Sequence, residues 1–473
     1  MLGETKKVVV VGGGITGLTA AYYLQKAAKT SQLPVAVTLI EASPRLGGKI
    51  QTVKKDGFII EKGPDSFLTR KESVIRLIRE TGLSGQLVNH LIGRSYALVN
   101  GQLHAIPEGS AMGIPTQMMP FLKTDLFSVS GKVRAGLDFL LPRSAMKNDD
   151  SLGRFFRRRL GGEIVENLIE PLLSVMYAGD IDKLSLMATF PQLHEIEQKY
   201  RSLILGMRKK TPDFVHQENS ALATLEGGLG ELVKGVEEQL DQGTVLKGTR
   251  VEKIVQRDDG KFNLSLNSGQ QLLADSVIIS TPHFTLPSMM PQCRFFDELQ
   301  EMPAISVAAV HMAFHAEDVS WNMDGAGFVV SRNSDYTITS CTWMNKKWPH
   351  TAPVGKVLLR CYVGGAGDEA IVDLSDAEIE QIVLDDLKKT MSISSKPEFT
   401  IVSRWKKAMP QYTMGHTKRI EAIEAHIQEE LPGLFIGGSS FRGISLPDCI
   451  EQGEEAARKT LAFLNDPNEK RLL

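Results

Sequence analysis

An α/β fold (α+β overall) built on a Rossmann-like parallel sheet is what this sequence predicts, and three observations predict its nucleotide-binding part. Four consecutive valines, Val8 to Val11, read as a strand buried on both faces. They run without a break into Gly12-Gly13-Gly14-Ile15-Thr16-Gly17, and a second apolar strand, Val35 to Ile40, ends on Glu41. Strand, glycine turn, helix, strand and acid in that order read as a dinucleotide-binding βαβ unit, whereas a glycine pattern alone is only a common turn.

Each residue type in the unit has its own task. Gly12 turns the chain out of the strand, Gly14 lets the backbone approach a pyrophosphate, and Gly17 packs the helix closely against the sheet. The phosphates then sit at a helix N-terminus, beside Ile15 and Thr16, where free amides and the macrodipole favour anions. Glu41 carries a carboxylate suited to both ribose hydroxyls, which argues against a 2′-phosphate and so against NADP. Lys6-Lys7 and the apolar stretch after them imitate a secretory signal, but three glycines, two tyrosines and no convincing cleavage site argue against one.

At 473 residues the chain is too long for one core, so two or three domains are expected. A net charge of −2 gives no general attraction to nucleic acid or to an anionic membrane, and no nucleic-acid partner is expected. Cys293, Cys341, Cys361 and Cys449 lie far apart, without zinc or dithiol spacing. No metal is expected, and a reducing, cytoplasmic compartment is the default. No apolar run of about twenty residues lies outside the glycine-broken N-terminus, so a membrane span is not expected.

The nucleotide unit stops near residue 70 without completing a sheet. Its missing strands are expected at Asp275 to Thr281, stopped by Pro282, and at Leu434 to Gly438. Val251 to Val255 and Phe262 to Leu266 alternate around Asp258-Asp259-Gly260 and read as a hairpin. The expected organisation is therefore a discontinuous Rossmann-like domain (1–70, 222–290 and 405–473), a mixed-sheet substrate-binding domain (71–109 and 291–404) and a helical insertion (110–221). Strands of the mixed sheet are expected at Val307 to Phe314, Gly327 to Ser331, Tyr336 to Trp343 and Val357 to Val363, under a helix from Asp376 to Met391. In the insertion Ile164, Leu168, Leu172 and Met176 recur every four residues and mark one face of one helix. Ser151 is a candidate cap for an earlier helix, and Gly179 a candidate terminus. Phe155-Phe156 beside three arginines, and Met118 to Leu122, could make an interfacial surface, although burial explains the same residues.

Arg45-Leu46-Gly47-Gly48-Lys49 places a glycine pair next to an arginine that could reach phosphate. With Gly437-Gly438-Ser439-Ser440, then Gly443 and Asp448 before a helix containing Gly453, it points to a long flavin dinucleotide with a second helix N-terminus at its flavin end. These segments resemble the flavin-dependent amine oxidase superfamily. Within it, Gly63-Pro64-Asp65-Ser66-Phe67, Tyr177-Ala178-Gly179-Asp180, Met409-Pro410-Gln411-Tyr412 with Gly415-His416, and Pro447-Asp448-Cys449-Ile450 resemble the protoporphyrinogen and coproporphyrinogen III oxidases. The resemblance covers nearly the whole chain and is greatest to the soluble Gram-positive type. Asp65 stands where eukaryotic relatives usually carry arginine, and Ser445 where glycine or alanine is commoner.

The resemblance implies six-electron oxidation of a porphyrinogen to the porphyrin in haem biosynthesis, with non-covalent FAD as cofactor and O2 as acceptor, giving three hydrogen peroxide. Flavin N5 carries that chemistry, so no residue is assigned as catalytic. By the same resemblance FAD is expected against Gly12, Gly14, Ile15, Thr16, Gly17, Glu41, Ala42, Arg45, Gly47, Gly48, Lys49, Gly63, Pro64, Asp65, Ser66, Val251, Thr281, Trp405, Gly438, Ser439, Ile444, Ser445 and Leu446. Lys71 is the first candidate for a substrate propionate and Met176 for packing over the substrate. Arg201, Arg208, Lys209 and Lys210 are further cations for which surface charge is the ordinary explanation, and His416 reads as a structural loop histidine rather than a base. The expected partners are the porphyrinogen and, transiently, ferrochelatase, with at most peripheral membrane association; oligomeric state stays open. The alternatives are an amine or polyamine oxidase of the same fold, a carotenoid desaturase, or a flavin-binding redox protein without turnover.

Overall fold

The valine run is buried because the strand Lys6–Val11 lies in the middle of a five-stranded parallel sheet. Val35–Glu41 flanks it on one side and Ser276–Ile279 on the other, with Val245–Lys247 and Leu434–Ile436 at the edges. This computed structural model describes residues 4–90, 93–144, 149–218, 222–320 and 324–465. The strands expected near residues 276 and 434 are both in the sheet; Val245–Lys247 is too short to stand out in the sequence. Helices Ile15–Ser31 and Leu446–Asn465 pack together on one face, burying Leu18, Leu24, Ile450 and Ala457. Gly453 makes that approach possible, since a Cβ there would stand 2.4 Å from the Thr16 carbonyl oxygen.

A second, seven-stranded sheet runs in the order Phe399–Pro410, Ala304–His315, Lys356–Gly364, Ile338–Trp343, Gly327–Val330, Ser95–Val99 and Gln102–Ala105. Its pairs are antiparallel except Gly327–Val330 with Ser95–Val99. Helix Asp376–Thr390 covers it with Ile379, Val383 and Leu387. The Ser375 and Glu378 side chains form a reciprocal capping box at its start.

The helices between Met118 and Glu218 enclose a third core. Ser151 caps Leu152–Leu160 by accepting from the Arg154 amide, as expected. The four-residue stripe fails in its second half. Val165–Ile169 is a π-turn, which carries one extra residue and rotates the helix, so the buried stripe shifts from Leu168 to Ile169 and runs on through Leu173 and Tyr177. Leu172 is half-buried and Met176 is 47% exposed. The left-handed residue ending this helix is Ala178, not Gly179; Gly179 is required instead because a Cβ would stand 1.8 Å from Gln411 Oε1. Phe155 and Phe156 are buried, whereas Met119 and Leu122 are exposed. No helix among the described residues is long and apolar enough to cross a membrane.

Candidate active site

The glycine turn at the end of Lys6–Val11 opens into a cavity of about 1290 Å³ that runs between the two sheets and the central helices. Single small-molecule sites occupy about 300–1,000 Å³, so there is room for a cofactor and a second ligand. Gly12 has φ +106°, where only glycine is unstrained, and a Cβ on Gly17 would lie 1.9 Å from the Gly12 carbonyl oxygen. A Cβ on Gly14 would meet nothing within 4 Å. The second glycine thus faces open space, while the first and third are demanded by the chain itself, the pattern of a backbone cradle for phosphate. Gly17 acts through this packing and does not line the cavity.

Glu41 lines the cavity and accepts the Gly13 amide at 2.6 Å and the Ser43 amide at 2.7 Å. Each oxygen keeps a second lone pair for a ribose hydroxyl. Further along the wall lie Ala42, Gly47, Gly48, Lys49, Gly63, Pro64, Ser66, Val251, Thr281, Trp405, Gly438, Ser439, Ile444, Ser445 and Leu446. The Lys49 ammonium donates to Ser439 Oγ at 3.0 Å, has no carboxylate within ion-pair distance among the described residues, and its pKa is lowered by burial. It is a hydrogen-bond donor placed for an anionic or polarised ligand. Trp405 Nε1 is anchored on the Lys62 carbonyl at 2.7 Å. Ser445 and Asp448 cap the helix Leu446–Asn465, whose N-terminus therefore faces the cavity.

Three charged residues expected at the ligands are turned elsewhere. Arg45 is used up on its own loop, donating to the carbonyls of Leu46, Gly48 and Ile50, which shapes the Gly47-Gly48 turn. The Asp65 carboxylate points away from the cavity into the protein, accepting from Lys347 Nζ at 2.8 Å and Trp348 Nε1 at 3.0 Å, with Arg360 Nη2 at 3.2 Å. Burial would raise its pKa, but the Arg360 and Lys347 charges hold it well below the usual carboxylate range. Lys71 is absent from the lining: its ammonium sits between Asp448 and, at 2.8 Å, Glu451, so its charge is already matched at the foot of the C-terminal helix. Met176, by contrast, lies on the wall.

His416 is structural. It stacks on Tyr412 with ring centres 4.0 Å apart, its Nε2 lies 2.8 Å from the Phe441 carbonyl, and burial pushes its pKa down to about 4. Tyr412 in turn donates to the Ser439 carbonyl at 2.8 Å, so the pair braces the loop that carries Gly438 and Ser439. Arg201 donates to the Phe139 carbonyl, and neither it, Arg208, Lys209 nor Lys210 lines the cavity. Among the wall residues missed in the sequence are His283, Glu170, Arg332, Lys406 and Lys407. A signal for the second was present, since Glu170-Pro171 interrupts an apolar helix. For the others no local pattern exists.

Residues 15–461 match the family model described as flavin containing amine oxidoreductase. Coproporphyrinogen III oxidase of Bacillus subtilis (strain 168) is 54% identical over 464 residues, covering 97% of this chain and 98% of the relative. Coproporphyrinogen III oxidase of Staphylococcus aureus is 42% identical over 469 residues, covering 97% of this chain and all of the relative. A solved structure from Exiguobacterium sp. 255-15 is 37% identical with a TM-score of 0.87, covering 98% of this chain and 100% of that one.

Proposed function

Because this chain belongs to the flavin-containing amine oxidoreductase family, we propose that it is the oxidoreductase that takes six electrons from coproporphyrinogen III to give coproporphyrin III in haem biosynthesis. Protoporphyrinogen IX is a second substrate on this reading, FAD the non-covalent cofactor, and O2 the acceptor that leaves as three hydrogen peroxide. The observation that carries the proposal is one continuous cavity that joins a dinucleotide cradle to a roomy chamber walled by Met176, Val330, Tyr336, Ile338 and Tyr362. Full-length relatives named for the same reaction support it. A transient hand-over to ferrochelatase and a loose membrane contact remain part of the proposal.

When bound, the flavin supplies hydride acceptance and the return of electrons to oxygen. The chain supplies the rest. The amides after Gly12 and Gly14 would hold the pyrophosphate, Glu41 the ribose, Val251 the adenine, and Lys49, Trp405 and the 438–446 segment the ring end. Cys449 lies at that end, yet burial raises its thiol to a pKa of about 11. It stays protonated and unreactive, in keeping with a non-covalent cofactor. Apolar walls would exclude water and hold the puckered porphyrinogen with a bridge carbon toward the flavin.

The test is the initial rate of porphyrin fluorescence when flavin-loaded protein meets coproporphyrinogen III or protoporphyrinogen IX in air, against a no-enzyme control. Faster oxidation of the first is the expected outcome. The reverse order keeps the chemistry and changes the substrate. A yellow protein that exceeds the control with neither sinks the proposal, and peroxide release from putrescine then tests the amine oxidase alternative.

A further inference from the structure

Glu170 stands on the cavity wall where the π-turn Val165–Ile169 passes into the helix Glu170–Tyr177. π-turns recur at functional sites because the extra residue re-aims a side chain. Pro171 follows directly and has no amide hydrogen to give, and the nearby Glu166 carbonyl accepts the Ser331 hydroxyl at 3.1 Å instead. The Glu170 side chain is only 4% exposed. One oxygen, Oε1, meets Arg332 Nη1 at 3.1 Å, while Oε2 is buried with no hydrogen-bond partner among the described residues.

A buried carboxylate oxygen without a donor is costly, and the residue that carries it lines the chamber. The other carboxylates on the wall do not share this state. Glu41 accepts two amides, and Glu252 and Asp368 are exposed. A porphyrinogen offers four pyrrole N–H donors, the groups such an oxygen lacks.

Resting on the porphyrinogen reading, we propose that Glu170 is the proton acceptor of the reaction, taking a pyrrole N–H proton as the macrocycle is oxidised. Conversion to the porphyrin removes six hydrogens, as three hydrides and three protons. In the proton step the N–H bond breaks, its electron pair stays on nitrogen, and an O–H bond forms at Oε2. No electron changes hands in that step; the electrons leave with the hydride to the flavin. The neutral acid then passes its proton to water past Arg332, which is 56% exposed. Burial raises the pKa of Glu170; Arg332 and Arg157 lower it, and Asp182 and Asp180 raise it again, with a net upward shift that makes the carboxylate a better proton acceptor than an exposed one.

Glu170→Gln and Glu170→Asp in the full, flavin-loaded chain test this. Fluorescence quenching of coproporphyrin III on flavin-free protein gives a readout without turnover. Glu170→Gln is expected to keep its flavin and bind the porphyrin within about twofold of wild type, while kcat falls about 100-fold and the acid limb of kcat/KM disappears. Glu170→Asp, which keeps the charge, should recover part of the rate and the acid limb. The proposal is overturned if both variants keep kcat within about threefold, if the loss lies in KM alone, or if the acid limb is unmoved in Glu170→Gln. If wild type neither binds nor oxidises a porphyrin compound, the substrate reading fails and takes this assignment with it.

Discussion

Asp65→Asn removes one negative charge from a buried cluster and leaves the shape unchanged. The carboxylate is 10% exposed and answers Lys347 and Arg360, which are 14% and 6% exposed. Arg360 has no further hydrogen-bond acceptor to turn to, since its Nε and Nη1 find no partner among the described residues. At an effective dielectric of about 20, charges roughly 3 Å apart attract by about 5 kcal/mol, and stripping one partner from a buried pair costs about 3–5 kcal/mol in practice. Asparagine still accepts from Trp348, so the lower end, about 3 kcal/mol, is expected. The assay is urea unfolding of the flavin-free protein, read as a shift in midpoint at constant slope. Because the folded pKa of Asp65 is depressed, its contribution is present above the unfolded value and lost only as pH falls toward the folded one. The deficit should therefore be the same at any pH above about 5. Adding Arg360→Met should restore about 2 kcal/mol, since an apolar side chain does not need the missing anion. A loss below about 1 kcal/mol, or no recovery in the double variant, refutes the view that this cluster holds the 63–66 segment against the cofactor cradle.

Gly14→Ala should leave the unfolding of flavin-free protein unchanged and weaken flavin retention, because its methyl enters space kept for the ligand; Gly17→Ala should damage both, losing about 2 kcal/mol of stability through its collision with the Gly12 carbonyl. Absorbance near the flavin band per mole of purified protein, with apo-protein melts, separates the two, and identical behaviour would contradict the assigned roles. His416 has a folded pKa depressed to about 4, so the unfolded chain takes the proton first and stability is lost as pH falls below about 6.5. The stability gap between wild type and His416→Gln should shrink by roughly 2 kcal/mol from about pH 7 to about pH 5; a gap independent of pH would mean the ring is not held neutral. Lys71→Ala should leave KM for coproporphyrinogen within about twofold of wild type, because a half-exposed lysine already paired with two carboxylates has little charge to offer. A tenfold rise in KM would return Lys71 to the substrate site.

The glycine turn was legible in the sequence because its constraints are local. A turn at φ +106°, and a helix packed so closely that a Cβ on Gly17 would stand 1.9 Å from the Gly12 carbonyl oxygen, admit only glycine, and those glycines stand within six residues of one another. Arg45, Asp65 and Lys71 misled for the complementary reason. Adjacency to a motif places a residue in the right loop and says nothing about which way a flexible charged side chain turns. That direction is set by partners far off in the chain: Lys347 lies 282 positions from Asp65, and Asp448 lies 377 from Lys71. Glu170 was hidden by another mechanism. Counting in fours assumes an unbroken α-helix, and the π-turn shifts the count by one just before the residue that matters.

Tyr177-Ala178-Gly179-Asp180 and Met409-Pro410-Gln411-Tyr412 are hundreds of residues apart, yet the structure gives a physical reason for both. They are two halves of one contact. Gln411 donates to the Tyr177 carbonyl at 2.8 Å and to the Met409 carbonyl at 3.0 Å, and its oxygen fills the space that a side chain at position 179 would need. Met176, Ala178 and Gly179 line one wall of the chamber, and Met409 and Pro410 another. One amide therefore fixes the end of the central helix to the end of a strand in the large sheet, and with it the width of the chamber between them. The neighbouring Tyr412 reaches the Ser439 carbonyl, which ties the same strand end to the cofactor loop. Two walls of the chamber and the 438–439 loop are held in register through three consecutive residues, Pro410 to Tyr412, so on the proposed reading a change there should alter turnover and cofactor retention together rather than either alone.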